Sequence, residues 1–467
     1  MPEKIMTTMA KINKKRSEQL LFPIISENED SLVRGEKEKG FSDPSFSSNK
    51  TLPIHRWVPW IAGFSSDFVQ SALDGFLKDK GTVLDPFCGV GTTVLEAIFN
   101  GHNAIGFEIN PYAVLASRVK TNAYYIDLDI FTSAIDDFQK FYKERVSSNY
   151  KPYSTPPQGF KTRTSFYSPR VLYKVLIAQD FVRAIDDENI RDLFRLAFAS
   201  TMVSYSNYSY EPSLGRRVSA GREEIHDFPV ARAITNKLTD MAEDIAWGKE
   251  HIEHNNLDIR IIGESFFNCR EHLLPASIDL IITSPPYLNN YHYNRNTRPQ
   301  LYWLGYAHSP DDLKKLENLN FGKFWQTVRD FDRIDLSFTL PQTDIEERLQ
   351  MLRKLNKDKG PYGGNGWANY AAAYFNDCHK FAEGIRYVLK RGGTALVVIG
   401  NSILQGVMIP TDEYFGKIAE AIGMELLKID VPRATRVGSS IIQSDVRVGK
   451  AAVTHQLYEA VVVLKKP

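Results

Sequence analysis

The segment TVLDPFCGVGTTVLEAIFNG, residues 82–101, constrains the fold of this chain more than any other. An apolar strand ends in Asp85, a turn carries Gly89 and Gly91, and TVLEAIFN reads as a helix stopped by Gly101. A second strand follows, NAIGFEI, and then Asn110 caps a helix that has Pro111 at its first position. Strand–helix–strand–helix is the opening of a doubly wound, mostly parallel α/β sheet. Such sheets bind ligands at the carboxyl ends of their strands, where Asp85 and Glu108 stand. Glycines at 89 and 91 let the backbone pass close to a ligand, and the helix starting near Thr92 offers free N–H groups. The spacing is not that of the dinucleotide fingerprint GxGxxG, because position 94 is valine, so a nicotinamide enzyme is disfavoured.

The remainder divides by pattern. Residues 1–50 are polar and broken up, and are expected to be a loosely ordered extension. The first part of the α/β domain spans 51–125. The alternation then stops, and 126–257 reads as a helical insertion. Strands LDIRIIGES and SIDLIITSPPY resume the sheet in 258–287, and 288–369 is a second, loop-rich insertion. From 370 to 467 the pattern returns as helix YAAAYFNDCHKFAEGIRYVL, turn KRGG, strand TALVVIG, helix DEYFGKIAEAIG and the strands MELLKIDV and LYEAVVVLKK. With 57 basic and 56 acidic residues, contact with a polyanion has to come from local basic patches. Three cysteines, far apart and in no CxxC pair, exclude a disulfide scaffold and a zinc cluster, so no metal is expected. No apolar run is long enough to cross a membrane, and a reducing, cytoplasmic location is expected.

Ser284-Pro285-Pro286-Tyr287 closes the second of the resumed strands. Two successive prolines fix the backbone and remove two N–H donors, so nearby carbonyl oxygens are left to face a ligand. With the serine hydroxyl and the tyrosine ring, the turn suits a planar base that carries an exocyclic amino group. A carboxylate at Glu108 suits a pair of ribose hydroxyls.

DPFCGVGTT, then FEIN, then TSPPY, in that order, resembles the amino-group DNA methyltransferases that use S-adenosylmethionine. The resemblance covers residues 51–125, 258–290 and 370–467. It implies a Rossmann-like class I methyltransferase fold and S-adenosylmethionine as cofactor. It also implies a cofactor loop made by Asp85, Phe87, Gly89, Gly91 and Thr92, with Glu108 on the ribose and Glu264 or Ser265 near the adenine. His55 and Phe64, in the segment before the first strand, are the corresponding flanking candidates. Ser284, Pro285, Pro286 and Tyr287 would form the target-base pocket, and serine in the first place resembles the cytosine-N4 branch. Aspartate there is more typical of the adenine-N6 enzymes, which remain the alternative. Guanosine-N2 tRNA methyltransferases, which share a DPFCG-like turn, are a further one.

Methyl transfer to an amino nitrogen needs no covalent enzyme intermediate. Hydrogen bonds from the amino group to Ser284 and to the Pro285 carbonyl would draw the nitrogen lone pair out of the ring. Cytosine-C5 methylation needs a nucleophilic cysteine after proline, and the chain has no Pro-Cys pair. The base must leave double-stranded DNA to reach such a pocket, and the resemblance makes 126–257 a candidate DNA-binding subdomain and 288–369 a candidate target-recognition region. Candidate DNA contacts are Arg216 and Arg217 in the polar loop of the helical block, and Asn290, Arg295 and Arg298 just after the base pocket. Analogy with restriction-modification adds a cognate restriction endonuclease or other defence proteins as expected partners.

Overall fold

The computed structural model describes residues 41, 48–60, 63, 65–210, 213–251, 256–288, 293–435 and 457–467. Seven strands form one sheet: β1 (Thr82–Asp85), β2 (Asn103–Phe107), β3 (Ile259–Ile262), β4 (Ile278–Thr283), β5 (Leu389–Gly400), β6 (Glu425–Thr435) and β7 (Leu457–Lys465). Their order across the sheet is 3-2-1-4-5-7-6. The first five pair in parallel, whereas β7 is antiparallel to both β5 and β6. This is the Rossmann-like methyltransferase arrangement, and its winding reverses between β1 and β4. The carboxyl ends of β1, β2 and β4 therefore lie side by side at the switch point.

The sheet is buried on both faces, which explains why its strands are nearly continuous apolar runs. The principal helices are α1 (Ser66–Phe76), α2 (Thr92–Phe99), α3 (Pro111–Thr121), α4 (Leu128–Ser147), α5 (Pro169–Ala184), α6 (Glu188–Thr201), α7 (Val230–His251), α8 (Gly364–Val388) and α9 (Thr411–Ala421). On one face Leu280, Ile282, Leu396 and Val461 pack with Phe68 and Leu73 of α1 and Val94 of α2. On the other, Leu84, Ile105, Ile281 and Val397 pack with Phe381 of α8 and Phe415 of α9. Helices α4 to α7 occupy the interval between β2 and β3. Phe131, Phe138, Phe194 and Leu238 of that block share a third core with Tyr112, Leu115 and Val119 of α3. Because α3 starts directly after Glu108, the block is attached through packed side chains to the end of β2.

Local signals explain most element ends. Ser65 Oγ accepts from Phe68 N at 3.2 Å and caps α1. Asn110 Oδ1 accepts from Tyr112 N at 3.1 Å, with Pro111 at the first position of α3. Three readings differ from the structure. The polar loop before Arg217 contains a two-stranded ribbon, Tyr208–Tyr210 with Leu214–Arg216. Helix α8 begins at Gly364 rather than at 370, because the glycines there permit a close approach: a Cβ on Gly364 would lie 1.6 Å from the Leu352 carbonyl oxygen. The KRGG segment is not a separate turn but a bulge inside β5, where Ile278 pairs with Leu389 and Leu280 already pairs with Thr394. Within the stretch expected to be loosely ordered, Ser48–Lys50 forms a 3₁₀ turn in which Asn49 is buried.

One buried carboxylate fastens the segment before β1 to the helical block. Asp244 on α7 accepts from Ile54 N at 2.8 Å, Arg56 Nε at 3.0 Å, Arg56 Nη2 at 2.8 Å and Trp57 Nε1 at 2.9 Å. Replacing Asp244 by alanine strands three buried or half-buried donor groups, and should cost about 3 kcal/mol. We expect a clear fall in the thermal midpoint together with weaker ligand binding, since Trp60 follows this segment into the cleft described next. An unchanged midpoint would remove Asp244 from that role.

Candidate active site

The turn after β1 is built from its backbone outward. Cys88 N donates to the Phe107 carbonyl at 2.9 Å, and Gly91 N donates to the Cys88 carbonyl at 2.7 Å. Gly89 and Gly91 have φ of 50° and 86°, in the region L side chains rarely adopt. A Cβ on Gly89 would sit 3.1 Å from Trp60 Nε1, and one on Gly91 3.0 Å from Ser117 Oγ. The turn therefore requires glycine both for its conformation and for its clearance.

Two carboxylates flank it. Asp85 is 2% exposed, and its Oδ1 accepts from Thr283 Oγ1 at 2.6 Å and from Phe87 N at 3.0 Å. Burial pushes its carboxyl up to about 6, against the lowering effect of those bonds. Glu108 bridges two loops: Oε2 accepts from Gly89 N at 2.9 Å and Oε1 from Asn110 N at 2.7 Å. Burial pushes it up to about 7, with the two N–H groups opposing and Asp85 adding to the rise. Each Glu108 oxygen spends one acceptor site on backbone and keeps capacity for a further donor. A ligand that brings hydroxyl donors or positive charge would favour the ionised forms of both groups.

Phe87, Gly89, Glu108, Glu264 and Ser265 line one cleft together with Ser284 and Pro286. Asp85, Thr92, Gly89 and Ser284 line an adjoining recess. The structure thus brings the glycine turn, the ribose candidate and the Pro-Pro turn to one place, with Gly91 beneath it at the start of α2. Glu264 is exposed, and hydrogen bonds from His272 and Asn268 hold its carboxyl below the usual range. Within the turn after β4, Pro286 O accepts from Tyr374 Oη at 3.1 Å. Neither the Ser284 hydroxyl nor the Pro285 carbonyl has a hydrogen-bond partner among the described residues. Tyr287 packs its ring against Gly400 and donates from Oη to Glu459 at 3.2 Å.

Other expected site residues fall elsewhere. His55, expected beside the cofactor, is a buried structural histidine that lines neither the cleft nor the recess. Its Nε2 lies 2.7 Å from Glu96 Oε1, its ring meets Phe99 edge-on, and burial lowers its pKa. Trp60, from the same segment, takes the place beside the glycine turn. The aromatic run HRWVPW was the available signal, but it does not say which ring faces inward. Phe64 and Asn290 lie outside the described residues. Arg298, read as a phosphate contact, is committed internally: its Nη2 donates to the Lys161 carbonyl at 2.8 Å, and its guanidinium lies 5.5 Å from the Phe160 ring centroid and 5.6 Å from that of Tyr302. Arg217 Nε donates to the Glu223 carbonyl at 3.0 Å, Arg216 ends the small ribbon, and Arg295 is exposed. Cys88 has its thiol pushed up by burial, which makes it a poor nucleophile.

A family model described as DNA methylase, of the N6/N4 methyltransferase type, matches residues 34–118, the stretch that holds the glycine turn and Glu108. Among curated proteins, Type II methyltransferase M.BsoBI of Geobacillus stearothermophilus is 25% identical over 91% of this chain and 87% of its own length. Type II methyltransferase M.AvaI of Nostoc sp. is 26% identical over 82% of each. The chain is thus similar to N6/N4-type DNA methylases, through the family model over residues 34–118 and through Type II methyltransferases over most of its length. Type II methyltransferase M.MvaI of Kocuria varians is a further relative, 24% identical over 50% of this chain and 53% of its own. A solved rRNA methyltransferase from Streptomyces viridochromogenes aligns at 8% identity with a TM-score of 0.26, covering 90% of this chain and 92% of its own, a likeness too low to bear on function. The fold rests on the strand order. Among the described residues no helix is long and apolar enough to cross a membrane.

The raised carboxyls give a signed expectation. In the ligand-free protein Asp85 and Glu108 hold protons up to about 6 and about 7, and a ligand that favours their ionised forms expels them. Affinity for S-adenosylmethionine should therefore rise as pH goes from 5.5 to 8, with proton release visible as a dependence of the calorimetric enthalpy on buffer. A flat affinity across that range would remove both carboxylates from the ligand's immediate surroundings.

Proposed function

We propose that this protein methylates DNA with S-adenosylmethionine and that its acceptor is the exocyclic N4 of a cytosine turned out of the duplex. The observation that carries the reading is the shared cleft: Gly89 and Glu108 on one side, Ser284 and Pro286 on the other. The donor set fits the cofactor. Glu108 has acceptor capacity left for ribose hydroxyls, Glu264 and Ser265 border the place for an adenine, and the turn from Phe87 to Gly91 would wrap the amino-acid end. When bound, S-adenosylmethionine supplies a methyl group on a sulfonium sulfur, electrophilic enough for an amino nitrogen.

What the chain itself contributes is orientation. The amino nitrogen of cytosine is a weak nucleophile because its lone pair is delocalised into the ring. Ser284 Oγ and Pro285 O, both without hydrogen-bond partners among the described residues, would accept the two amino hydrogens and hold the nitrogen out of conjugation. Tyr374 and Glu459 brace the turn, so the two acceptors have little freedom to follow the base. Tyr287 would stack on the base face. Positioning of this kind contributes roughly 7–11 kcal/mol in favourable cases. Serine at position 284 favours cytosine over adenine. Full-length similarity to Type II methyltransferases suggests that the protein protects specific sites from a companion nuclease, and the helical block and the second insertion are the regions proposed to hold the DNA.

Expression in a host free of DNA methylation, followed by sequencing for modified bases, tests the reading. N4-methylcytosine in one short motif is the expected result. N6-methyladenine would transfer the acceptor to adenine, and unmodified DNA would end the proposal. Ser284→Ala should lower kcat by about 10²-fold while the affinity for S-adenosylmethionine changes less than twofold, in line with loss of one positioned acceptor.

A further inference from the structure

Asn294 lies ten residues beyond Ser284 and lines the same cleft. Its side chain is unusual there, because it is only 3% exposed and its Nδ2 has no hydrogen-bond partner among the described residues. A buried NH2 group left without an acceptor is costly, and proteins rarely keep one without a use.

The orientation of this amide follows from its neighbours. Tyr112 N can only donate, and it donates to Asn110 Oδ1 at 3.1 Å. The other end of the Asn110 amide is therefore its NH2, which donates to Thr297 Oγ1 at 2.8 Å and to Asn294 Oδ1 at 3.4 Å. Asn294 Oδ1 is thus occupied as an acceptor, and the donor end is left over. The helix cap at α3 fixes a relay of polarity that ends in an unpaired N–H donor. Asn110 N also donates to Glu108 Oε1, so the relay is anchored at the tip of β2.

Resting on the methyltransferase reading above, we propose that Asn294 Nδ2 is a specificity-determining donor for the ring nitrogen beside the amino group of the target base. The chemistry of the bases supports this. Cytosine and adenine each carry an unprotonated ring nitrogen next to the exocyclic amino group, as N3 and N1 respectively. Guanine and thymine carry an N–H at the equivalent edge. Ser284 and Asn294 line the cleft, and Pro285 lies in the same turn as Ser284; the acceptors Ser284 Oγ and Pro285 O with the donor Asn294 Nδ2 would complement an amino group with an adjacent ring acceptor. The same set presents an N–H against the N1–H of guanine and the N3–H of thymine on their Watson–Crick edges. Mispairing of buried polar groups is the kind of mismatch that yields large discrimination. Asn294 in this role makes the pocket selective for the edge, while the contacts of Ser284 select for the amino group itself.

A cycle of enzyme and substrate changes tests it. Wild type and Asn294→Ala are compared on duplex DNA carrying the natural target base and on the same duplex carrying its deaza analogue, 3-deazacytosine, in which that ring nitrogen is C–H. For the wild type we expect kcat/KM to fall at least tenfold on the analogue. Asn294→Ala should lose a similar factor on natural DNA and show no further loss on the analogue, with S-adenosylmethionine affinity within a few-fold of wild type. If Asn294→Ala still discriminates the two duplexes as wild type does, the proposal is wrong. Asn294→Asp, similar in shape, guards against a folding artefact: it should also lose discrimination at pH 8 while keeping the wild-type melting temperature within a few degrees. Retained discrimination by that variant would overturn the proposal as well. A wild-type enzyme inactive on any DNA would instead refute the methyltransferase reading itself, so the two failures are distinct.

Discussion

The site depends on one carboxylate that joins two strand tips. Glu108 accepts the Gly89 N–H from the turn after β1 and the Asn110 N–H from the cap of α3. Without it both loops would have unsatisfied donors at a partly buried edge, and neither would be fixed relative to the other. Its raised pKa shows the cost of that arrangement: two backbone dipoles do not fully offset desolvation, and Asp85 nearby adds repulsion. Such residual strain is common where a protein is shaped for a ligand rather than for its own stability. Further hydrogen-bond donors at the two carboxylate oxygens would offset that cost.

The same tip carries the chain's larger organisation. Asn110 begins α3, α3 shares a core with the helical block, and the block's ribbon reaches back to the segment after the Pro-Pro turn. Tyr210 Oη donates to the Asn296 carbonyl at 2.9 Å, and Leu214 N donates to Asn296 Oδ1 at 3.1 Å. Gln300 Nε2 donates to Tyr210 Oη at 3.2 Å. Residues 294–300 are therefore a seam where the tip of β2, the helical block and the cleft beside Ser284 meet. Arginines expected to contact phosphates there are partly consumed by this seam, as Arg298 illustrates, because a guanidinium beside aromatic rings and a free carbonyl has partners inside the protein.

Much of this was legible in the sequence. The glycine turn, the acid ending β2 and the Pro-Pro turn are local signals, and parallel α/β topology alone places their strand ends on one edge. Asn110 and Pro111 announced their helix boundary through capping chemistry. Long-range partners left no such trace. Tyr374 supports Pro286 from a helix whose pattern of buried residues looks like any other, and His55 reads as chemistry although it is buried structure. Trp60 was hidden among neighbouring aromatics because side-chain direction in an irregular segment is set by packing. The bulge at KRGG was missed since glycine-rich tetrapeptides signal a turn equally well, and only pairing with β4 distinguishes the two.

The turn that would hold the base is steadied by groups far away along the chain: Tyr374 at a separation of 88 residues and Glu459 at 172. Contacts of such separation form late, after many loops have closed. A chain still emerging from the ribosome has both proline carbonyls long before it has the strand that steadies them. Competence is therefore an end-of-synthesis property, and fragments ending before β7 would carry the whole motif without its rigidity.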